Sequence, residues 1–244
     1  MDTNSTTKST QAWYDAYYRE KGADRNDLLT NPEVLFQHFA FDDSIISALR
    51  RAGDLRPSGS KVLDVGCGSG NSLAKFTELG FAPANLYGID IQHSRIDEAR
   101  LKYPNLNLSC QDATSLRFED NVFDLVLEST MFVQIVDDGL ASRIAAEMLR
   151  VTAPHRYILL VDWRYGKPGN SSYRAVTRKR IESLFSVGPV TDVVCQTRGA
   201  LVPPIGRRLS RYAPSLYFLL RSIAPILVGS QATLLRKHSP APTS

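Results

Sequence analysis

The 244-residue chain has little of what builds metal sites or disulfide frameworks. Its three cysteines, Cys67, Cys110 and Cys195, lie far apart and form no Cys-x-x-Cys pair, so neither a zinc site nor a disulfide scaffold is expected. Unpaired thiols in apolar contexts suit a reducing, cytoplasmic setting. Histidine is scarce, with only His38, His93, His155 and His238, so neutral bases are few. No stretch reaches the roughly 18 uninterrupted apolar residues of a membrane span. The nearest, from Tyr212 to Val228, is broken by Arg221, Pro214 and Pro225. Residues 1–10 are Ser/Thr-rich without an apolar core and read as a disordered tail, not a signal peptide. Neither sign of charge dominates: the net charge of +4 permits an anionic partner without demanding one. Nucleic acid is not the expected partner. There is no internal repeat and no dividing linker, and the length suits one α/β domain.

What the chain does have is concentrated at residues 61–70, Lys-Val-Leu-Asp-Val-Gly-Cys-Gly-Ser-Gly. A β-branched apolar run meets Gly66, Gly68 and Gly70, and a helix opens at Asn71-Ser72-Leu73. Glycine accepts positive φ and lets backbone approach a ligand closely. A strand, a glycine turn and a helix N-terminus in that order bind the polar part of a nucleotide-like ligand. The dinucleotide fingerprint G-x-G-x-x-G needs glycine where this chain has Asn71. A nicotinamide dehydrogenase is therefore disfavoured.

Around this turn the pattern alternates strand and helix. Strands are expected at 62–65, 86–90, 106–110, 122–127, 156–161, 190–197 and 232–237. Helices are expected at 72–79, 94–103, 138–150 and 173–185, with a helical apolar segment at 207–222. Such alternation, with near-continuous apolar strands, argues for a sheet covered by helices on both faces. Ahead of it lie an aromatic helix at 11–21, a helix at 32–38, and another at 44–51 that Asp42 or Asp43 would cap. Trp13, Tyr14, Tyr17 and Tyr18 give the first of these enough rings to serve as core or as a lid. The expected layout is one domain over 11–244: a helical extension at 11–59, a ligand-binding core at 60–165, and substrate-side helices with the last two strands at 166–244.

Two acids follow the glycines. Asp90 ends the second strand about twenty residues on, where an aspartate accepts hydrogen bonds from ribose hydroxyls or caps the next helix. Asp112 ends the third strand, where it would meet an adenine amino group or cap the turn Ala113-Thr114-Ser115.

Taken in order, these segments resemble the class I S-adenosylmethionine-dependent methyltransferases of the small-molecule and glycan kind. Val-Leu-Asp-Val-Gly-Cys-Gly-Ser-Gly is similar to that family's first motif, and Gly88-Ile89-Asp90 to its second. Gln111-Asp112-Ala113 corresponds to its third, and Phe123-Asp124-Leu125-Val126 to its fourth. The resemblance implies a Rossmann-like, doubly wound, seven-stranded sheet of order 3-2-1-4-5-7-6 with the last strand antiparallel. It implies S-adenosyl-L-methionine as cofactor. Gly66, Cys67, Gly68 and Gly70 would approach its methionine part, and Asp64 would place its ammonium through water. Asp90 with Ile91 would hold the ribose, and Asp112 with Ala113 the adenine. Glu128 and Ser129 would stand beside the sulfonium.

Within that family, missing motifs narrow the acceptor. After the fourth strand the chain reads Glu128-Ser129-Thr130-Met131, not the Asn- or Asp-Pro-Pro-aromatic of nucleic-acid amino-methylating enzymes. No cysteine stands where RNA pyrimidine enzymes need one, and Glu128 lacks the second glutamate of protein arginine enzymes. Asp162 lacks the adjacent asparagine of metal-dependent catechol-type enzymes, so no metal is assigned. A small-molecule or glycan acceptor remains, with O-methylation ahead and a lipid-linked or cell-envelope saccharide as one form of it. The alternatives are C- or N-methylation of a lipid or quinone-like acceptor, and a non-catalytic scaffold. Candidate catalytic groups are Asp162, Glu128 and His38; Asp162 could equally serve a salt bridge. His155 is expected to precede the fifth strand in a structural role. Arg164, Lys167, Arg174, Arg178, Lys179 and Arg180 read as a solvated basic face. The basic, apolar stretch from Tyr212 to Val228 would cover the active site or rest peripherally on a membrane.

Overall fold

A computed structural model describes residues 27–166 and 169–239. The expected tail at 1–10, the aromatic helix at 11–21 and Lys167 lie outside the described residues. The sheet has seven strands in the order β3-β2-β1-β4-β5-β7-β6. They are β1 Val62–Val65, β2 Leu86–Asp90, β3 Asn107–Cys110, β4 Phe123–Ser129, β5 Thr152–Trp163, β6 Thr191–Arg198 and β7 Ser230–Lys237. Strands β1 to β5 pair in parallel, and β7 is antiparallel to both β5 and β6. The carboxyl ends of β1, β2, β4, β5 and β6 therefore share one edge of the sheet.

Alternation along the strands builds two cores. Leu63, Val65, Val126, Ile158 and Leu160 face one side, where α4 (Asp138–Val151) and α5 (Arg178–Leu184) cover them. Val62, Leu125, Leu127 and Leu159 face the other, under α1 (Pro32–Leu49), α2 (Asn71–Glu78) and α3 (His93–Lys102). Strands buried on both faces read as continuous apolar runs for this reason. A third cluster sits at the carboxyl edge. There Phe36, Ala40 and Phe41 of α1 meet Trp163, Leu201 and Val228, together with Tyr217 and Phe218 of an insertion between β6 and β7.

That insertion is two helices, α6 (Pro203–Tyr212) and α7 (Pro214–Ile223), not one segment over 207–222. Pro214 has no N–H to continue the first helix, so the chain turns at Ala213, which has φ −147°. Elsewhere the structure joins what the sequence divides. The helices expected at 32–38 and 44–51 are one helix, α1, capped by Asn31 with Pro32 in its first turn. Asp42 and Asp43 are not caps: they face Lys75 and Arg221 from mid-helix. The helix expected at 173–185 is only α5. The Arg174 N–H goes instead to the Val133 carbonyl at 2.7 Å, and the Val176 N–H to that of Trp163 at 2.9 Å. β5 starts earlier than expected, so His155 lies within it, exposed and at φ +62°.

Gly88 marks the tightest packing between the first two motifs. A Cβ there would stand 2.8 Å from Leu108 Cδ2 and 2.9 Å from Cys67 Sγ. Overpacking a site of this kind costs about 1–3 kcal/mol. Gly88→Val is accordingly expected to lower the urea midpoint and, by lifting Cys67, to weaken ligand binding at the glycine turn. An unchanged midpoint would show that the β2–β3 edge yields freely.

Candidate functional site

The glycine turn is held from beneath. The Gly66 and Cys67 N–H groups both donate to the Ile89 carbonyl, at 2.8 and 2.9 Å. Gly68 N–H donates to Asp90 Oδ2 at 2.9 Å, and Gly70 N–H to the Cys67 carbonyl at 2.9 Å. The turn thus spends three of these donors on the end of β2 and one on itself. Its glycines matter because they have no side chain and because Gly66, Gly68 and Gly70 all sit at positive φ (76°, 54° and 78°). A Cβ on Gly66 would lie 2.9 Å from Met131 Sδ, and one on Gly68 3.0 Å from Arg95 Nη2. The first turn of α2 carries no side-chain cap, leaving its N–H groups and positive dipole end for an anion.

Asp64 is the clearest sign of a ligand. It is buried, and neither carboxylate oxygen has a hydrogen-bond partner among the described residues. Burial, with Asp90 adding like charge, pushes its pKa up to about 7. An unpaired buried carboxylate is costly unless a cation joins it. Beside it, Asp90 Oδ1 accepts from the Gln92 N–H at 2.9 Å. Each Asp90 oxygen keeps a lone pair for a further donor such as a hydroxyl. The alternative left open for Asp90, a local cap, is thus also in place.

Past β4 the loop is clamped by two buried acids. Glu128 Oε2 accepts from the N–H groups of Met131 (2.9 Å) and Phe132 (3.4 Å), while its Oε1 has no partner among the described residues. Asp162 Oδ2 accepts from Val133 N–H at 2.8 Å, and its Oδ1 from Trp163 N–H at 2.7 Å. Burial, then the neighbouring Asp162, raises Glu128 well above the usual carboxylate range. Burial lifts Asp162 to about 7 against the pull of those two N–H groups. Arg180 braces the same loop, donating through Nη1 to the Phe132 carbonyl at 3.0 Å and through Nη2 to that of Ile135. Arg180 is therefore not part of a solvated face; it is 8% exposed. Thr130 stands in the left-handed region at φ +60°, a strained conformation that well-determined loops keep where geometry matters. The result sets Met131 directly over Gly66.

The remaining site residues divide. Asp112 Oδ1 accepts from the N–H and hydroxyl of Thr114, both at 2.8 Å, so it does cap its turn. Ile91, Ala113 and Ser129 are half-buried at the same edge. The Cys67 side chain turns away into the core beneath Gly88, and burial keeps its thiol protonated. His38 is half-buried on α1, and burial, then the charge of Lys75 on α2, lowers its pKa and keeps it neutral. His93 is exposed, and His238 pairs with Asp192 at 2.7 Å. Met131, Thr130 and Arg180 carried no motif. An arginine three residues past a capping threonine is not distinguishable in sequence from its exposed neighbours Arg178 and Lys179. Among the described residues no cluster of His, Cys, Asp or Glu could hold a metal ion.

Residues 62–155 match the family model of a methyltransferase domain. The chain is 31% identical over 166 residues to a phthiotriol/phenolphthiotriol dimycocerosates methyltransferase of Mycobacterium ulcerans, covering 62% of this chain and 59% of that protein. It is 35% identical over 116 residues to a 2-methyl-6-phytyl-1,4-hydroquinone methyltransferase of Synechocystis, covering 45% and 34%. The chain thus spans less than two thirds of the length of either relative. A Methanosarcina mazei SAM-dependent methyltransferase has the same fold, with a TM-score of 0.54 and 19% identity over 78% of this chain and 97% of that one. With the strand order above, these show a methyltransferase domain at residues 62–155, on a sheet of the class I S-adenosylmethionine-dependent methyltransferase fold. The site fits that family's cofactor by its own geometry: a cation for Asp64, a carboxylate for the α2 N-terminus, a hydroxylated ring for Asp90.

The charge on Asp64 has a measurable consequence. Its folded-state pKa of about 7 lies above the ordinary 3.8, so the stability it contributes is present at low pH and lost as pH rises through about 7. Asp64→Asn removes that loss. We expect the variant without cofactor to melt several degrees higher than wild type at about pH 8, and at nearly the same temperature at about pH 4. Calorimetry should show its cofactor affinity reduced about ten-fold or more. Equal melting at the higher pH would mean that Asp64 has a partner.

Proposed function

We propose that the protein transfers a methyl group from S-adenosyl-L-methionine to an apolar, lipid-like acceptor bearing a nucleophilic ring or hydroxyl group. The observation that carries the acceptor class is the third core cluster. There Phe36, Phe41, Trp163, Tyr217 and Phe218 pack into an aromatic cluster at the carboxyl edge, beside the end of β5, and we take that cluster as the acceptor side of the site. A glycan would require convergent polar groups, whereas an acyl or prenyl chain requires walls of this kind. The two named relatives, a phthiotriol/phenolphthiotriol dimycocerosates methyltransferase and a 2-methyl-6-phytyl-1,4-hydroquinone methyltransferase, point the same way.

When bound, the cofactor supplies an electrophilic methyl group on a sulfonium. The chain's own residues then have distinct tasks. Asp64 holds the ammonium, the first turn of α2 the carboxylate, Asp90 and Ile91 the ribose, and Asp112 with Ala113 the adenine. Glu128, Asp162 and Arg180 hold the loop that sets Met131 and Ser129 against the reacting end, so Glu128 and Asp162 act by positioning. Holding donor and acceptor in line supplies much of the rate of such a displacement. Proton removal from the acceptor falls to His38, the neutral imidazole on α1.

Incubating a cell extract with the protein and methyl-tritiated cofactor is expected to label material that partitions into chloroform–methanol. Label confined to water-soluble saccharides would refute the acceptor class, and no labelling together with no cofactor binding would refute methyl transfer. His38→Ala is expected to lower kcat by about 10²–10⁴-fold while leaving cofactor affinity unchanged. Full activity in that variant would remove His38 from catalysis.

A further inference from the structure

The insertion helices leave one apolar face uncovered. Leu216, Leu219 and Ile223 stand at helical spacing on a single side of α7, exposed to 48%, 54% and 68%. Tyr212 at one end and Ile226 at the other extend the stripe, at 74% and 75% exposure. The opposite side of α7 is anchored. Tyr217 is fully buried, with its hydroxyl accepting from Leu201 N–H at 3.2 Å. Arg221 donates to the Gly199 carbonyl at 2.8 Å and pairs with Asp43. The far end is also fixed: Arg164 donates to the Pro225 carbonyl at 3.0 Å, and the Tyr165 hydroxyl to that of Ile226 at 3.1 Å. The stripe is thus held outward by a rigid base, and it is longer than scattered surface leucines would make it.

Charge identifies what it meets. From Val193 to the end of the chain there is no aspartate or glutamate, while Arg198, Arg207, Arg208, Arg211, Arg221, Arg236 and Lys237 fall in that stretch. Arg208 and Arg211 stand exposed beside the Tyr212 end, and Arg198, which donates to the Ser222 carbonyl at 2.7 Å, stands at the Ile223 end. The acids that approach from other elements, Glu33 and Asp43, are each already paired, with Arg211 and Arg221. An apolar stripe with arginines at both ends and no free acid matches the interface of an anionic bilayer, where apolar side chains enter the acyl boundary and arginines meet phosphate. Among the described residues no helix is long and apolar enough to cross a membrane, so contact would be peripheral.

We propose that the α6–α7 insertion is a membrane-docking face that seats the protein on anionic lipid through Tyr212, Leu216, Leu219, Ile223 and Ile226. Because the insertion joins β6 to β7 at the carboxyl edge, docking brings the mouth of the candidate site to the lipid surface. This stands on the surface alone and does not depend on methyl transfer.

Co-flotation of the full-length protein with phosphatidylcholine vesicles, with and without phosphatidylglycerol, tests it. The wild-type chain is expected to float with the anionic vesicles and to be released by high salt. The double variant Leu219→Asp/Ile223→Asp is expected to bind about ten-fold more weakly or less, with its thermal midpoint and cofactor affinity nearly unchanged, since both residues are more than half exposed. Arg208→Glu/Arg211→Glu is expected to lose the preference for phosphatidylglycerol. Wild-type protein that stays in solution overturns the proposal, whether a second copy or the chain's own amino-terminal segment covers the face. So does equal binding to both vesicle types, or undiminished binding of Leu219→Asp/Ile223→Asp. A wild-type dimer that the aspartates dissociate, without vesicle binding, would assign the face to self-association instead.

Discussion

Two acceptors at the end of β2 hold the site together. The Ile89 carbonyl takes the N–H groups of Gly66 and Cys67, and the Asp90 carboxylate takes that of Gly68. These bonds fold the chain back on itself at the end of β1, which brings the uncapped N-terminus of α2 to the carboxyl edge and leaves Asp64 buried beneath the turn. The turn can do this only because positive φ costs glycine nothing, and because no side chain intrudes between Met131 and Arg95. Asp90 is thus a strut of the turn, and its oxygens keep lone pairs for the ribose hydroxyls of the proposed cofactor.

The same economy governs the loop after β4. Two buried acids that a motif reading would spend on chemistry are spent first on backbone N–H groups. Removing either would leave buried donors unpaired, at a cost of about 1–3 kcal/mol for each one stranded. A strained Thr130 persists because Glu128, Asp162 and Arg180 determine the loop from three sides. Burial that raises the pKa of an acid is compatible with this task, since a positioning acceptor need not exchange its proton.

Face and edge divide the molecule's work. The two cores on the sheet faces are generic: aliphatic side chains pointing alternately to opposite sides, under helices with one apolar flank. The carboxyl edge is particular to this chain: there α1, α6 and α7 pack an aromatic cluster beside the end of β5. α1 serves both. Its Ile45 and Ala48 belong to the sheet-face core, and its Phe36 and Ala40 to the edge cluster.

Strand positions and the order of the motifs were legible because they rest on local signals. Apolar runs of the right length, glycines where φ turns positive, and an acid at each strand end all lie within a few residues of one another. Asp64, Asp90 and Asp112 could be placed on that basis. What the sequence could not show was which side chains meet across the sheet. Asp42 and Asp43 look like caps until Lys75 and Arg221 are seen opposite them, and Arg180 looks solvated until the loop it braces is in place. Residues 173–177 form no helix because the N–H groups of Arg174 and Val176 find carbonyls on the β4 loop and β5. Hydrogen bonds over long sequence separation leave no periodicity to read. Local backbone chemistry therefore determined the fold and the glycine turn, and only tertiary packing decided the aromatic cluster, the clamped loop and the exposed face of α7.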